Sequence, residues 1–188
     1  MGKRIISQRR GHGGTPYKSP SHRHAAKPGY PREGKLGVVE DIIHAPGRSA
    51  PLAAVRMENN RVIYSIASEG MYVGQEIRFD GSVMEPGNVA RLADIPEGTL
   101  VYNIEGRPGD GGRFVRSGGG YSVVVSRGMK IVVQMPSGQF KAFSPDCRAT
   151  IGKCAGGGRT DKPILRRALS TTTSGAEPSA GRWSAVWP

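Results

Sequence analysis

The chain has 188 residues, 27 Lys and Arg against 15 Asp and Glu, a net charge of +12 and a pI near 10.2. No apolar run approaches the ~18 residues a membrane span needs, and two cysteines are no disulfide framework. Glycine and proline together make 42 residues, high for a helical protein and low for a wholly disordered one.

The charge is uneven along the chain. Residues 1–35 hold nine Lys and Arg against one acid, residues 36–154 thirteen against twelve, and residues 155–188 five against two. A nearly neutral middle with basic ends is the pattern of cationic arms on a folded core, and its natural partner is nucleic acid. An anionic membrane surface fits less well, because no amphipathic basic helix is visible.

Residues 1–35 show neither a 3.6 nor a 2.0 period. They hold too little apolar area to offset their ordering entropy, so the expectation is an arm disordered when free and ordered on phosphate. Arg9, Arg10 and Arg23 are its candidate contacts. Tyr17 and Tyr30 read equally well as base-stacking or as loop residues. His12, His22 and His24 lack the cysteine or carboxylate company of a metal site.

From Leu36 the pattern becomes short β-rich runs separated by turns. Strands are predicted at 36–43, 51–57, 61–66 and 75–79, with Asn59-Asn60 as a hairpin turn. A second set is predicted at 88–92, 99–104, 121–126, 130–135, 140–143 and 148–154. Gly106–Gly112 is a glycine-rich loop, Gly118-Gly119-Gly120 a break and Ser137-Gly138 a hairpin turn. The expected class is all-β, with two small barrels in tandem over 36–82 and 83–154. Residues 155–188 form a glycine-rich basic extension and an atypical tail.

The stretch Cys147-Arg148-Ala149-Thr150-Ile151-Gly152-Lys153-Cys154 fails as a phosphate loop, since cysteines stand where its first glycine and its Ser or Thr belong. No nucleophile–base pair and no metal set can be assembled, so neither an enzyme nor a cofactor is expected, and no small-molecule substrate. Arg48, Arg113, Arg116, Arg148 and Arg159 sit beside glycine-rich turns or strand ends. Their forked donors suit phosphate there. Gly157 and Gly158, flanked by Arg159 and Lys162, would let the backbone approach a bulky polyanion closely.

Gly47-Arg48-Ser49-Ala50, Pro108-Gly109-Asp110-Gly111-Gly112, Pro136-Ser137-Gly138, Cys147–Gly152 and Gly156-Gly157-Gly158-Arg159-Thr160-Asp161-Lys162-Pro163 occur in this order. Together they resemble the large-subunit ribosomal protein two family. Gln8-Arg9-Arg10-Gly11 and Ser21-His22-Arg23 are similar to its archaeal and eukaryotic-type branch. The resemblance covers residues 1 to about 163. It implies an OB-like barrel followed by an SH3-like barrel on large-subunit rRNA. It also implies neighbouring ribosomal proteins and nearby tRNA as partners, and roles in assembling the peptidyl transferase region and in subunit association. The two cysteines without a disulfide framework make a reducing cytoplasm the expected location. Arg48 and Arg116 match family positions linked to rRNA. A free-standing translation or transcription factor is the alternative.

After Pro163 the resemblance stops. Family members carry a Trp-Pro-x-Val-Arg-Gly-Val-Ala stretch there, absent from this chain. Reading the codons of Ser179 to Pro188 from the third base of Ser179 permits Arg-Trp-Pro-x-Val-Arg-Gly-Val-Ala. The tail after about Leu165 is therefore expected to be a truncated or frame-displaced form of that extension.

Overall fold

The computed structural model describes residues 2–3, 5–18, 24–31 and 34–161. The strands are β1 (Leu36–Ile43), β2 (Leu52–Met57), β3 (Val62–Ile66), β4 (Glu76–Arg78), β5 (Val89–Arg91), β6 (Leu100–Tyr102), β7 (Ser122–Ser126), β8 (Ile131–Gln134), β9 (Phe140–Phe143) and β10 (Arg148–Ile151). The first four form one antiparallel sheet in the order β3-β2-β1-β4. The other six form a second, in the order β5-β10-β6-β7-β8-β9. The class is all-β. Among the described residues neither strand ladder closes on itself: β3 and β4 edge the first sheet, β5 and β9 the second.

Local chemistry explains the elements. In β1, Val39 is buried, whereas Glu40 and Asp41 both face solvent. Strict alternation would bury one of those acids. A bulge between Val39 and Asp41 shifts the register to β2 by one residue and keeps both in water. The β2–β3 hairpin turns through Asn60 at φ 58°, a left-handed position that asparagine tolerates. The β8–β9 hairpin turns through Gly138 at φ 83°.

Each sheet covers its own apolar cluster. Val39, Ala53, Val55, Met57, Ile77 and Phe79 belong to the first. Leu92, Ile95, Val101, Ile104, Val124, Ile131, Val133 and Phe143 belong to the second. A third cluster joins the sheets: Ala45, Ala50, Leu52, Ile66, Tyr102 and Cys154. Tyr102 on β6 donates its hydroxyl to the Ile66 carbonyl on β3 at 3.0 Å. Both cysteines are buried free thiols, as their apolar neighbours require.

The N-terminal arm departs from expectation in two places. Residues Ile6–Gly11 form a short helix, α1, with no buried residue, and Ile5 N–H donates to the Gln8 side chain at 3.3 Å. A helix this short has no packing to hold it, and its stability rests on local bonds alone. The second departure is larger. Pro28, Tyr30 and Pro31 are buried, so packing starts ahead of Leu36. Tyr30 joins the first sheet's cluster, and Ala26 packs against the junction. Charge counting placed these residues with the arm because their apolar surface is carried by prolines and one tyrosine, outside any strand period.

Candidate nucleic-acid interface

Three loops meet where the sheets join. The first is the turn after β1, in which Arg48 N–H donates to the Ala45 carbonyl at 3.0 Å. Gly47 there has φ 91°, and a Cβ on it would lie 2.6 Å from the His24 ring. Only glycine fits both the backbone and the close approach. The turn thereby sets Arg48, half-buried, at the junction.

Arg116 comes from the second loop. Its backbone is positioned by Val115 at φ 54°, a costly conformation for a β-branched residue. One terminal nitrogen donates to the Gly112 carbonyl at 2.9 Å, the other to the Pro28 carbonyl at 3.1 Å. Burial lowers the pKa of both Arg48 and Arg116, and the Arg48 charge is the next cause acting on Arg116. Asp110 opposes this only as a lesser influence. The Nε atoms of both arginines are buried with no hydrogen-bond partner. Among the described residues, neither forms an ion pair with a carboxylate. Two desolvated like charges side by side are unfavourable in the free chain, and a phosphate oxygen between them reverses that sign.

The third loop is the glycine-rich run after β10. Gly118 N–H donates to the Ser49 hydroxyl at 2.9 Å. A Cβ on Gly118 would lie 2.6 Å from the Gly156 carbonyl oxygen, and one on Gly119 2.8 Å from the Gly157 Cα. The two glycine tracts therefore lie backbone against backbone. Gly157 is expected to let an RNA partner approach closely; one such close neighbour is Gly119 of the same chain, and Gly157 is otherwise exposed. Gly158, at φ 74°, is exposed and leads into a single 3-10 turn, Arg159–Asp161.

Arg148 likewise serves the fold. Glu105 has no exposed surface, and its carboxylate accepts from Gly109 N–H (3.3 Å), Gly111 N–H (3.1 Å), Arg148 N–H (2.9 Å) and the Arg148 guanidinium (3.0 Å). The other guanidinium nitrogen of Arg148 donates to the Pro31 carbonyl at 2.8 Å. Its plane sits 5.1 Å from the centre of the Tyr30 ring. The Tyr30 hydroxyl lies 2.6 Å from the Asn103 carbonyl and 2.7 Å from Thr150 Oγ1. This network fixes residues 28–31 to the second sheet.

Glu105 escaped the sequence reading. The available signal was a lone carboxylate between the apolar run 100–104 and a glycine-rich loop whose N–H groups need an acceptor. Asp110 closes that loop by accepting from Gly106, Arg107 and Gly112 N–H groups at 2.8–3.1 Å, leaving Arg107 and Arg113 exposed. Arg9 and Arg10 are exposed in the last turn of α1. Arg23, Lys162 and the tail after about Leu165, expected to be a truncated or frame-displaced extension, lie outside the described residues.

Among the described residues no group of three or more His, Cys, Asp or Glu could hold a metal ion. None of their helices is long and apolar enough to cross a membrane.

Residues 3–78 match the family model for the RNA binding N-terminal domain of ribosomal proteins L2, and residues 85–184 match the model for the C-terminal domain, so the match runs past Pro163, where the motif resemblance ends. The chain belongs to the ribosomal protein L2 family. Among members named large ribosomal subunit protein uL2, that of Picrophilus torridus is 51% identical over 168 residues, covering 88% of this chain and 71% of the relative. That of Methanothrix thermoacetophila is 49% identical over 175 residues, covering 90% and 74%. That of Methanosphaera stadtmanae is 50% identical over 175 residues, covering 88% and 73%. The archaeal character of these family members agrees with the branch read from the N-terminal motifs.

Proposed function

We propose that this chain is a structural constituent of the large ribosomal subunit, bound to its rRNA through the junction arginines and the basic ends. The observation that carries the reading is the Arg48–Arg116 pair, half-buried, electrostatically opposed and, among the described residues, without a carboxylate ion pair. Arg113, Arg9, Arg10 and Arg23 add phosphate contacts around it, and Arg159 and Lys162 extend them past β10. Arg148, Gly157 and Gly158 contribute by shaping this surface. The two sheets act as an OB-like unit within residues 36–82 and an SH3-like unit within 83–154.

In this reading the chain is not an enzyme. It supports assembly of the peptidyl transferase region, subunit association and tRNA binding from the cytoplasmic ribosome, with neighbouring ribosomal proteins around it.

Binding to large-subunit rRNA across a salt series tests the reading. Neutralising six to ten phosphates makes affinity fall by roughly 10³–10⁵ between 50 and 200 mM salt. Arg48→Ala and removal of residues 1–18, which leaves the packed residues 26–31 in place, should each flatten the dependence. Affinity indifferent to salt refutes the proposal, as does a chain that leaves the large subunit at moderate salt like a cycling factor.

A further inference from the structure

A groove separate from the arginine junction opens between the start of β7 and the β8–β9 turn. It has a volume of about 330 Å³ and is lined by Gly120, Tyr121, Val123, Gln134, Met135 and Pro136, among others. That is near the lower end of the range for small-ligand sites, about 300–1,000 Å³. Its walls are fixed. The Ser122 hydroxyl donates to the Met135 sulfur at 3.8 Å, Met135 N–H donates to the Gln139 carbonyl at 2.8 Å, and Gly138 N–H returns to the Met135 carbonyl at 2.9 Å.

The groove combines three features. Tyr121 is 43% exposed and offers a flat aromatic surface, with the Lys153 ammonium 5.4 Å from its ring centre. Gln134 is exposed at the lining, and its side-chain amide carries donors and an acceptor together. Gly119, also in the lining, touches Gly157, so the run Gly158-Arg159 starts beside the groove. An aromatic platform, an amide able to pair with a polar edge, and a cationic strand alongside are the elements of single-stranded RNA recognition.

We propose that this groove takes one unpaired nucleobase of the large-subunit rRNA, stacked on Tyr121 and met along its polar edge by Gln134. The proposal rests on the rRNA-binding reading above and adds to it a base contact, distinct from the phosphate contacts of Arg48 and Arg116. Arg159 and Lys153, the latter shared with Glu69 at 3.6 Å, put positive charge beside the groove and favour a polyanion over a neutral peptide as the occupant.

The test uses the full chain and large-subunit rRNA. Truncating a stacking aromatic lowers affinity roughly five- to 150-fold per base. Tyr121→Ala should give a loss in that range with the salt dependence unchanged, because no phosphate contact is removed. Tyr121→Phe should restore binding, and Gln134→Ala should weaken it with the fold intact. Ultraviolet crosslinking should join Tyr121 to a single nucleotide.

Native affinity for both Tyr121→Ala and Gln134→Ala overturns the proposal. So does a loss that Tyr121→Phe fails to restore, or one that flattens the salt dependence. Native RNA affinity for Tyr121→Ala, with a defect only when other subunit proteins are present, assigns the groove to a protein neighbour and also overturns it. Arg48→Ala is measured in parallel. If it weakens binding while Tyr121→Ala does not, the groove proposal falls and the rRNA reading stands. If binding is indifferent to salt throughout, the rRNA reading itself falls.

Discussion

Replacing Arg148 by alanine separates a fold-holding arginine from an RNA-binding one. The change removes the only cation among the described residues paired with Glu105, whose side chain is fully buried, while the Arg148 side chain is 22% exposed. Breaking a buried pair by removing one partner costs about 3–5 kcal/mol, because a charge is left uncompensated. Two features place Arg148→Ala at the lower end. Three backbone N–H donors, from Gly109, Gly111 and residue 148 itself, stay on the carboxylate. The partial exposure of Arg148 also lets water reach the vacated position. The expected loss is about 3 kcal/mol, or roughly 10 °C in Tm for a folded region of this size. The Pro31 carbonyl loses its donor too, so protease sites around residues 28–31 should open. Chemical denaturation and thermal melts of the isolated chain measure this. Arg148→Lys should fall between the two, since one ammonium cannot reproduce the planar fork. A loss below about 1 kcal/mol, the level of an exposed ion pair, refutes the reasoning.

Gly119→Ala should destabilise by about 2–4 kcal/mol, adding left-handed strain to overpacking against Gly157. Gly138→Ala, with a similar φ but nothing within 4 Å of its Cβ, should cost only about 1–2 kcal/mol; equal costs would show that the glycine tracts are not in contact. Tyr30→Phe should cost about 1–3 kcal/mol by leaving the buried Asn103 carbonyl and Thr150 hydroxyl without this partner, and should leave the salt dependence of rRNA binding alone. A changed salt dependence with unchanged stability would return Tyr30 to the RNA surface. Burial pushes the Cys154 thiol up to about 12 from 9.0, with Arg116 opposing. The unfolded chain therefore loses this proton first as pH rises, so the contribution is intact below pH 9 and is lost between 9 and about 12. Stability measured across that window should fall less steeply for Cys154→Ala, and iodoacetamide near pH 8 should label the folded thiol far more slowly than the denatured one.

The strands were legible because each is a short β-branched run between turn residues. Leu36–Ile43 and Phe140–Phe143 match the sequence expectation end for end, and the other strands are trimmed by one to three residues at their ends. The arginine site was half legible. Arg48 sits on the glycine turn that its neighbours imply, but nothing local distinguishes it from Arg148, which looks alike in sequence. The difference is a carboxylate 43 residues away that only the sheet brings near. Tyr30 was ambiguous for the same reason, since its partners Asn103 and Thr150 lie 73 and 120 residues along the chain. The glycine tracts were visible, but a triplet of glycines reports that something must come close without saying what. Here much of that something is a second glycine tract.

The position of β10 between β5 and β6 bears on how the chain is made. Val89–Arg91 emerges from the synthesising ribosome well before Arg148–Ile151, yet Arg148 pairs with Arg91 and Thr150 with Val89. Until the later strand appears, β5 has no neighbour in its sheet and β6 has one free edge. The hairpins β7–β8 and β8–β9 can form at once, from local contacts. Completion then requires closing a loop of more than fifty residues by inserting a strand into a waiting gap, a slow step in a topology rich in distant pairings. Through that interval the nascent chain exposes two unpaired strand edges, the kind of surface that invites wrong partners, so its safe maturation depends on how soon the last strand arrives.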